Sequence, residues 1–520
     1  MAEHPTTSVV LTGAPLRPGQ VEDVARSGAK VELSPDLVEG LERSRQTVVD
    51  ALSTGDPHYG INTGFGSLAR KRIPPDDLAA LQKNLVRSHS AGAGDPLDDD
   101  IVRATMLTLA ASLARGRSGV RRVVVDSLIA LLNAGITPVV PELGSVGASG
   151  DLAPLAHIAL SLIGEGRAEW NGQVLESAEA LASAGIQPLE LQAKEGLALL
   201  NGTHLMAGRA ALLLCDLERV IDGACLAAAM SLDGIRGSAG PYDARILSIR
   251  NHPGPRRVAL RMSRLLRGSE ILTSHVENDP RVQDPYSFRC NPQVMGAAID
   301  AIHYVRDAVR RELGAVTDNP VVEPDGAILA GGNFHGMPIA IPLDIAAVAM
   351  SHVAGIAERR IFFMLSGQDP ESHLNPHLSG EPGLHSGMMV AQYTAAACCN
   401  ELAGLAVPAS VTNIPTCANV EDYNSFGPRS AAKAARALAL LQTVVSIELL
   451  CAAQALETHR PLRSSPAIEE AHAKIRLVVP AWSGDRPLSD DIASIEALIS
   501  NGAFAPGGEC EPWFPEEAKL

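Results

Sequence analysis

"PRSAAKAARALALLQTVVSIELLCAAQALETHR" occupies residues 428–460, and how it is read decides the fold. Ala and Leu, both strong helix formers, dominate it, and the helical period continues for about thirty residues. From Ala437 to Leu456 the stretch is apolar nearly all round. A helix of that kind is surrounded by protein on every side. It therefore belongs in the middle of a helical bundle, and the bundle can be shared between subunits. Gln442, Glu448 and Gln454 interrupt the apolar surface and argue against a membrane span.

The rest of the composition agrees. Hydrophobic residues are 46% of the 520-residue chain and aromatics only 3%, so a core of Ala, Leu, Val and Ile in mostly helical form is expected. The length allows about three domains or one large intertwined unit. Lys and Arg number 43 against 59 Asp and Glu, a net charge of −16. Such a surface repels nucleic acid and anionic lipid, and neither is expected as a partner. The eight cysteines include no CxxC pair and most sit in apolar surroundings, which reads as buried free thiols of a reducing cytoplasm. "MAEHPTTSVV" lacks the basic start and apolar core of a signal peptide.

Shorter helices flank the long one. Ser34 is placed to cap a helix with Pro35 at its first position and Leu37, Leu41, Val48 and Leu52 on one face. "DIVRATMLTLAASLARG" and "RRVVVDSLIALLNAG" are helical and end at Gly. "ITPVVPELGSVGASG", rich in Pro and Gly, reads as a long turn before the helix of "DLAPLAHIALSLIGEG". "GAAIDAIHYVRDAVRRELGAV" and "PLDIAAVAMSHVAGIAERRIFFML" are two more long helices.

The turn at 144–157, "GSVGASGDLAPLAH", carries the chemistry. It fails as a GxSxG nucleophile elbow because Asp151 stands where the second glycine belongs. A helix N-terminus with Asp151 near the cap is one reading. The other is a backbone cyclisation. Gly150 has an unhindered amide nitrogen and a permissive backbone. In a tight bend that nitrogen attacks the Ala148 carbonyl, and loss of water closes an imidazolone. A second dehydration removes the Ser149 hydroxyl and leaves an exocyclic methylidene, an electrophile that no unmodified side chain supplies.

This segment resembles the prosthetic-group segment of the aromatic amino acid ammonia-lyases, the family of histidine, phenylalanine and tyrosine ammonia-lyases and the related 2,3-aminomutases. "YGINTGFGSLA" (59–69), "LVRSHSAGAG" (85–94), "KEGLALLNGTH" (194–204), "QDPYSFRCNPQVMG" (283–296), "TDNP" (317–320), "GGNFHGMPIA" (331–340) and "IPTCANVEDYNSFG" (414–427) fit the same family in order, over nearly the whole chain. The resemblance implies a mostly α fold, with a smaller mixed N-terminal part that carries the prosthetic-group loop and a long central helical bundle. It also implies a homotetramer whose active sites are shared between subunits. The corresponding division is 1–205 for the part with the prosthetic and active-site loops and 206–520 for the long helices and C-terminal helical region.

The resemblance also implies roles. Ala148, Ser149 and Gly150 form a 4-methylidene-imidazol-5-one, with no metal or external cofactor. Tyr59 removes the β-proton, and Tyr286 and Asn201 lie around the prosthetic group and substrate. Arg289 holds the substrate carboxylate; Gln283 and Phe334 complete the pocket. His89 and Glu421 face the substrate side chain. Physical chemistry supports this set: ammonia is a poor leaving group and a β-hydrogen barely acidic, so the reaction needs an electrophile and a base, here a tyrosine of lowered pKa. An arginine fork suits a carboxylate. Backbone N–H groups of the Gly-rich loop, with Asn201, are expected to steady negative charge on the imidazolone.

Ser88-His89, Glu421 and His335 resemble the histidine branch. A carboxylate in a closed pocket wants a donor, which imidazole N–H supplies and phenyl does not. The implied reaction is L-histidine to trans-urocanate and ammonia. The alternatives are a phenylalanine or tyrosine ammonia-lyase, an aromatic 2,3-aminomutase, or a silent homologue that only binds. Val420, His204, Asn291 and "NFHGMP" depart from the usual histidine pattern. His373, His377 and His385 look like a metal cluster, but Pro376 and Gly-containing turns break any i,i+4 presentation, so no metal site is expected.

Overall fold

The computed structural model describes residues 8–277, 279–506 and 512–514. Residues 1–7, which open the stretch read for a signal peptide, and Cys510 lie outside them. The chain forms two compact units. The first gathers residues 1–215, 307–343 and 408–432; the second gathers 216–306, 344–407 and 433–520. A single division after residue 205 does not reproduce these segments. The chain leaves the first unit after Cys215 and returns to it twice, with boundaries inside the helices His204–Gly234, Asn291–Glu312, Met337–Ser366 and Gly427–Glu457.

The first unit is the mixed one. Its strands are short: Val9–Leu11 runs parallel to Val31–Leu33, and Ala93–Pro96 antiparallel to Pro141–Leu143. Thr137–Pro138, Arg167–Trp170 and Gln173–Glu176 make a small antiparallel sheet. The stretch 136–143, read from sequence as turn, is therefore partly strand. Ser34 does cap, but the turn it caps is the 3₁₀ segment Pro35–Leu37, which leads into helix Val38–Thr54. That helix stops at Gly55 in the left-handed region, as helix Arg122–Ala134 stops at Gly135. Helix Asp99–Ala114 is buried along its whole length after the first turn. Val48, Ile61 and Val322 form a compact apolar cluster behind the loop that starts at Tyr59.

The second unit is helical. Arg360 lies on the Met337–Ser366 helix and Glu448 on the Gly427–Glu457 helix. Their side chains meet through Nε–Oε1 at 2.5 Å and Nη2–Oε2 at 2.9 Å. Ser231 donates to the same carboxylate at 2.8 Å, and Arg360 donates to Asn291 Oδ1 at 3.0 Å. These contacts join residues of all four long helices. Two of those helices, Met337–Ser366 and Gly427–Glu457, match a membrane span in length and apolarity, but 67% and 78% of their most apolar stretches are buried inside the protein. Of the described cysteines only Cys225 and Cys451 are fully buried; Cys215 and the others are half-buried thiols.

Candidate active site

The loop 144–150 is held rigidly. Gly147 takes φ +66° and Gly150 φ +71°, both left-handed. A Cβ on Gly150 would stand 2.1 Å from the carbonyl oxygen of Gly202, so only glycine fits. Three long-range bonds fasten the loop from outside. Ser425 Oγ and Gly336 N both donate to Gly147 O, at 2.9 and 3.1 Å, and Phe426 N donates to Val146 O at 2.9 Å. Asp151 anchors the far side. Its N donates to Gly202 O at 2.7 Å, and its Oδ2 accepts from Leu205 N and Met206 N at 2.9 and 3.1 Å. Burial pushes the Asp151 carboxyl up to about 7, against those donors and Ser145 Oγ, which pull it down. Ala148 is buried, while the Ser149 hydroxyl faces a cavity of about 470 Å³.

That cavity brings together Tyr59, His89, Ser149, Asn201, Phe334 and Glu421. Tyr59 sits at the start of its Gly-rich loop, and its Oη accepts from Gly66 N at 3.2 Å. Burial raises the Tyr59 phenol above its ordinary value, the Gly66 amide opposes this, and the negative charge of Glu421 adds to the rise. The lowered pKa expected from sequence is therefore corrected: one N–H does not outweigh desolvation. His89 ends helix Leu78–His89, where its Nδ1 lies 2.9 Å from Leu85 O, and burial lowers its basicity. A ring nitrogen that meets a carbonyl carries the proton, which leaves Nε2 as an acceptor.

Glu421 is aimed by a tight loop. Cys417, Ala418 and Asn419 all have positive φ, an uncommon run of left-handed residues other than glycine. Thr416 N donates to Glu421 O at 2.9 Å and Thr416 Oγ1 to Glu421 Oε2 at 2.8 Å. The other oxygen, Oε1, accepts from Ser149 Oγ at 3.1 Å. Cys417 Sγ accepts from Ser67 N at 3.3 Å, which ties this loop to the one bearing Tyr59.

Asn201 caps the short helix Glu195–Leu200. Its Nδ2 donates to Asp318 Oδ1 at 3.3 Å and Asn319 O at 3.1 Å. Asp318 is in turn paired with Lys194 at 2.6 Å. Both bonds occupy Asn201 Nδ2, the group that the sequence reading assigns as a donor toward the imidazolone. Lys194, Asp318, Thr416 and Cys417 were given no role by sequence reasoning, although all four lie inside the quoted motifs. The signal was present: a lysine and an aspartate embedded in apolar or Gly-rich motifs need a partner when buried.

Gln283, Tyr286 and Arg289 belong to the second unit, whereas every residue lining the cavity belongs to the first. Tyr286 opens the single-turn helix Tyr286–Arg289, is 73% exposed, and has the Arg289 guanidinium 5.4 Å from its ring centre. His335 stacks on Tyr423 and its Nε2 lies 3.0 Å from Tyr423 O. His373 lies 3.2 Å from an Arg236 nitrogen, and His385 lies 3.9 Å from Asp485.

The family model for aromatic amino acid lyases matches residues 16–477. Histidine ammonia-lyase of Anaeromyxobacter sp. (strain K) is 47% identical over 513 residues, which covers 96% of this chain and 99% of the relative. The crystal structure of histidine ammonia-lyase from Trypanosoma cruzi superimposes with a TM-score of 0.90 at 35% identity, covering 98% of this chain and 96% of that one. Tyrosine aminomutase from Streptomyces globisporus matches with the same TM-score and identity, covering 96% and 98%.

Proposed function

The chain belongs to the aromatic amino acid lyase family and is a carbon–nitrogen lyase, and within that family we propose that it eliminates ammonia from L-histidine to give trans-urocanate. The observation that carries this reading is the joint presence of His89 and Glu421 in the cavity into which Ser149 points. Full-length relatives near 46% identity that bear the name histidine ammonia-lyase support it.

The residues of the 144–150 loop fit a ring closed from Ala148, Ser149 and Gly150. Gly150 is left-handed with no room for a side chain, and Ala148 is small and buried. The ring would supply an electrophile toward the substrate amine. Its formation removes the Ser149 hydroxyl, and with it one of the two side-chain donors on Glu421. Oε1 then takes its donor from the substrate, and an imidazole N–H meets that need. His89, with Nε2 as acceptor, addresses another edge of the same ring. Tyr59 receives the β-proton, and the Gly66 amide steadies the phenolate this requires. Phe334 contributes apolar wall. Arg289 holds the substrate carboxylate, with Gln283 and Tyr286 beside it. These three come from another subunit of a homotetramer with shared active sites. Tyr286 is largely exposed in the single chain, which suits that arrangement. No metal, external cofactor, nucleic acid or membrane takes part, and the enzyme works in the cytoplasm.

The test is an absorbance assay with L-histidine, L-phenylalanine and L-tyrosine in parallel, together with an intact-mass measurement. Histidine turnover and a chain lighter by two waters are expected. A preference for phenylalanine or tyrosine overturns the substrate, β-amino acid product points to a mutase, and an unshifted mass removes the prosthetic group.

A further inference from the structure

The Asn201 side chain is turned by an ion pair that does not itself line the cavity. Lys194, Asp318 and Asn201 are all buried, at 0%, 2% and 3% exposure. Asp318 Oδ2 accepts from Lys194 Nζ at 2.6 Å; Oδ1 accepts from Asn319 N at 2.7 Å and from Asn201 Nδ2 at 3.3 Å. The second acceptor for Asn201 Nδ2 is Asn319 O at 3.1 Å. A backbone carbonyl and a carboxylate facing a cation are acceptors only. The opposite amide orientation would set the Asn201 oxygen against two other oxygens in a buried site, so chemistry decides the orientation. Burial lowers the Lys194 ammonium, and Asp318 opposes that shift.

With both amide hydrogens engaged on this side, the part of Asn201 left for the cavity is its carbonyl Oδ1. We propose that Lys194 and Asp318 are positioning residues that hold Asn201 as a hydrogen-bond acceptor, and that Oδ1 receives an N–H of the amino group of the substrate. An amino group keeps N–H donors in either protonation state, whereas the substrate carboxylate offers none. Asn201 thus selects for the α-amino end of the substrate and helps to aim its nitrogen toward the Ser149 loop. This inference rests on the amino acid lyase reading of the cavity but not on which aromatic side chain is accepted.

The experiment compares two ligands on one protein. One is the amino acid that the wild type turns over; the other is its deamino analogue, 3-(imidazol-4-yl)propanoate if histidine is the substrate and the matching 3-arylpropanoate otherwise, used as a competitive inhibitor. Asp318→Asn keeps the volume, removes the charge, and lets an NH₂ face Asn201, so one of the two acceptors that fix the Asn201 amide is lost. Substrate kcat/KM is expected to fall about ten- to a hundredfold, the scale of a hydrogen bond to a charged group, while the inhibition constant of the deamino analogue stays within about twofold. Asn201→Ala should give the same split, and it decides the matter should Asp318→Asn not fold. Equal weakening of both ligands would show Asn201 acting on the carboxylate or the scaffold, and no change in either would show it idle; each result overturns the proposal. A wild type that turns over no amino acid defeats the lyase reading instead, before any variant is compared.

Discussion

Lys194 and Asp318 meet at 2.6 Å in the first unit, and Arg360 and Glu448 meet at 2.5 Å in the second, with none of the four side chains more than 2% exposed. Their surroundings differ. Arg360 and Glu448 form a bidentate fork further filled by Ser231, Asn291 and the Ser287 carbonyl. Every one of those groups belongs to the scaffold. Asp318 instead extends to Asn201, which borders the cavity. A buried pair contributes little net stability relative to an apolar replacement, but it leaves a costly orphan when broken. In the bundle that penalty enforces helix register. Beside the cavity it enforces the direction of one amide.

The contrast is broken most severely at the loop itself. Ser149→Ala has no hydroxyl to eliminate, so turnover should vanish. Among the described residues the Ser149 hydroxyl is bonded to Glu421 alone, so thermal unfolding and assembly should match the wild type. Substantial residual turnover would remove the covalent electrophile from the scheme.

The opposite result is expected in the bundle. Glu448→Gln leaves the Arg360 guanidinium buried against a neutral amide. It should destabilise the chain by about 3–5 kcal/mol in denaturant titration, with kcat/KM of the remaining folded enzyme little changed. Lost activity without lost stability would mean that this pair, too, serves the chemistry.

A smaller effect is expected at the ring-facing end. Glu421→Gln should lower kcat/KM for histidine by the equivalent of about 1–3 kcal/mol, the penalty of an unmatched buried group. Adding His89→Leu should relax discrimination against phenylalanine. Histidine activity indifferent to Glu421→Gln would keep the substrate and discard the reason given for it.

The last effect is a slope with pH. Burial depresses His204 to about 3, so it stays neutral in the fold while the unfolded chain takes up a proton near 6.5. Its contribution to stability is therefore fully present above pH 6.5 and is lost as pH falls toward about 3. His204→Gln should flatten that part of the stability profile. An unchanged acid limb in the unfolding curve would show that His204 titrates alike in both states.

Much was legible because it is local. The run 428–460 reads as a buried helix from composition and period, and helix Gly427–Glu457 is that helix. Gly55 and Gly135 end helices where a left-handed residue is needed. The cavity residues Tyr59, His89, Ser149, Asn201, Phe334 and Glu421 were all named from motifs, since each motif is a short loop or helix end that carries its own geometry. The strands at 137–143 were missed, because two-residue ladders depend on partners elsewhere in the chain rather than on alternation.

The sequence by itself therefore determined the helical character and named six residues that meet around one cavity. The direction of the Asn201 amide, the elevated phenol of Tyr59 and the donors on Glu421 were decided only by tertiary structure. The reason is separation along the chain. Asp318 lies 117 residues from Asn201, and Glu421 lies 272 from Ser149. Hydrogen-bond direction and desolvation are properties of whatever surrounds a group in space, and no local pattern encodes them.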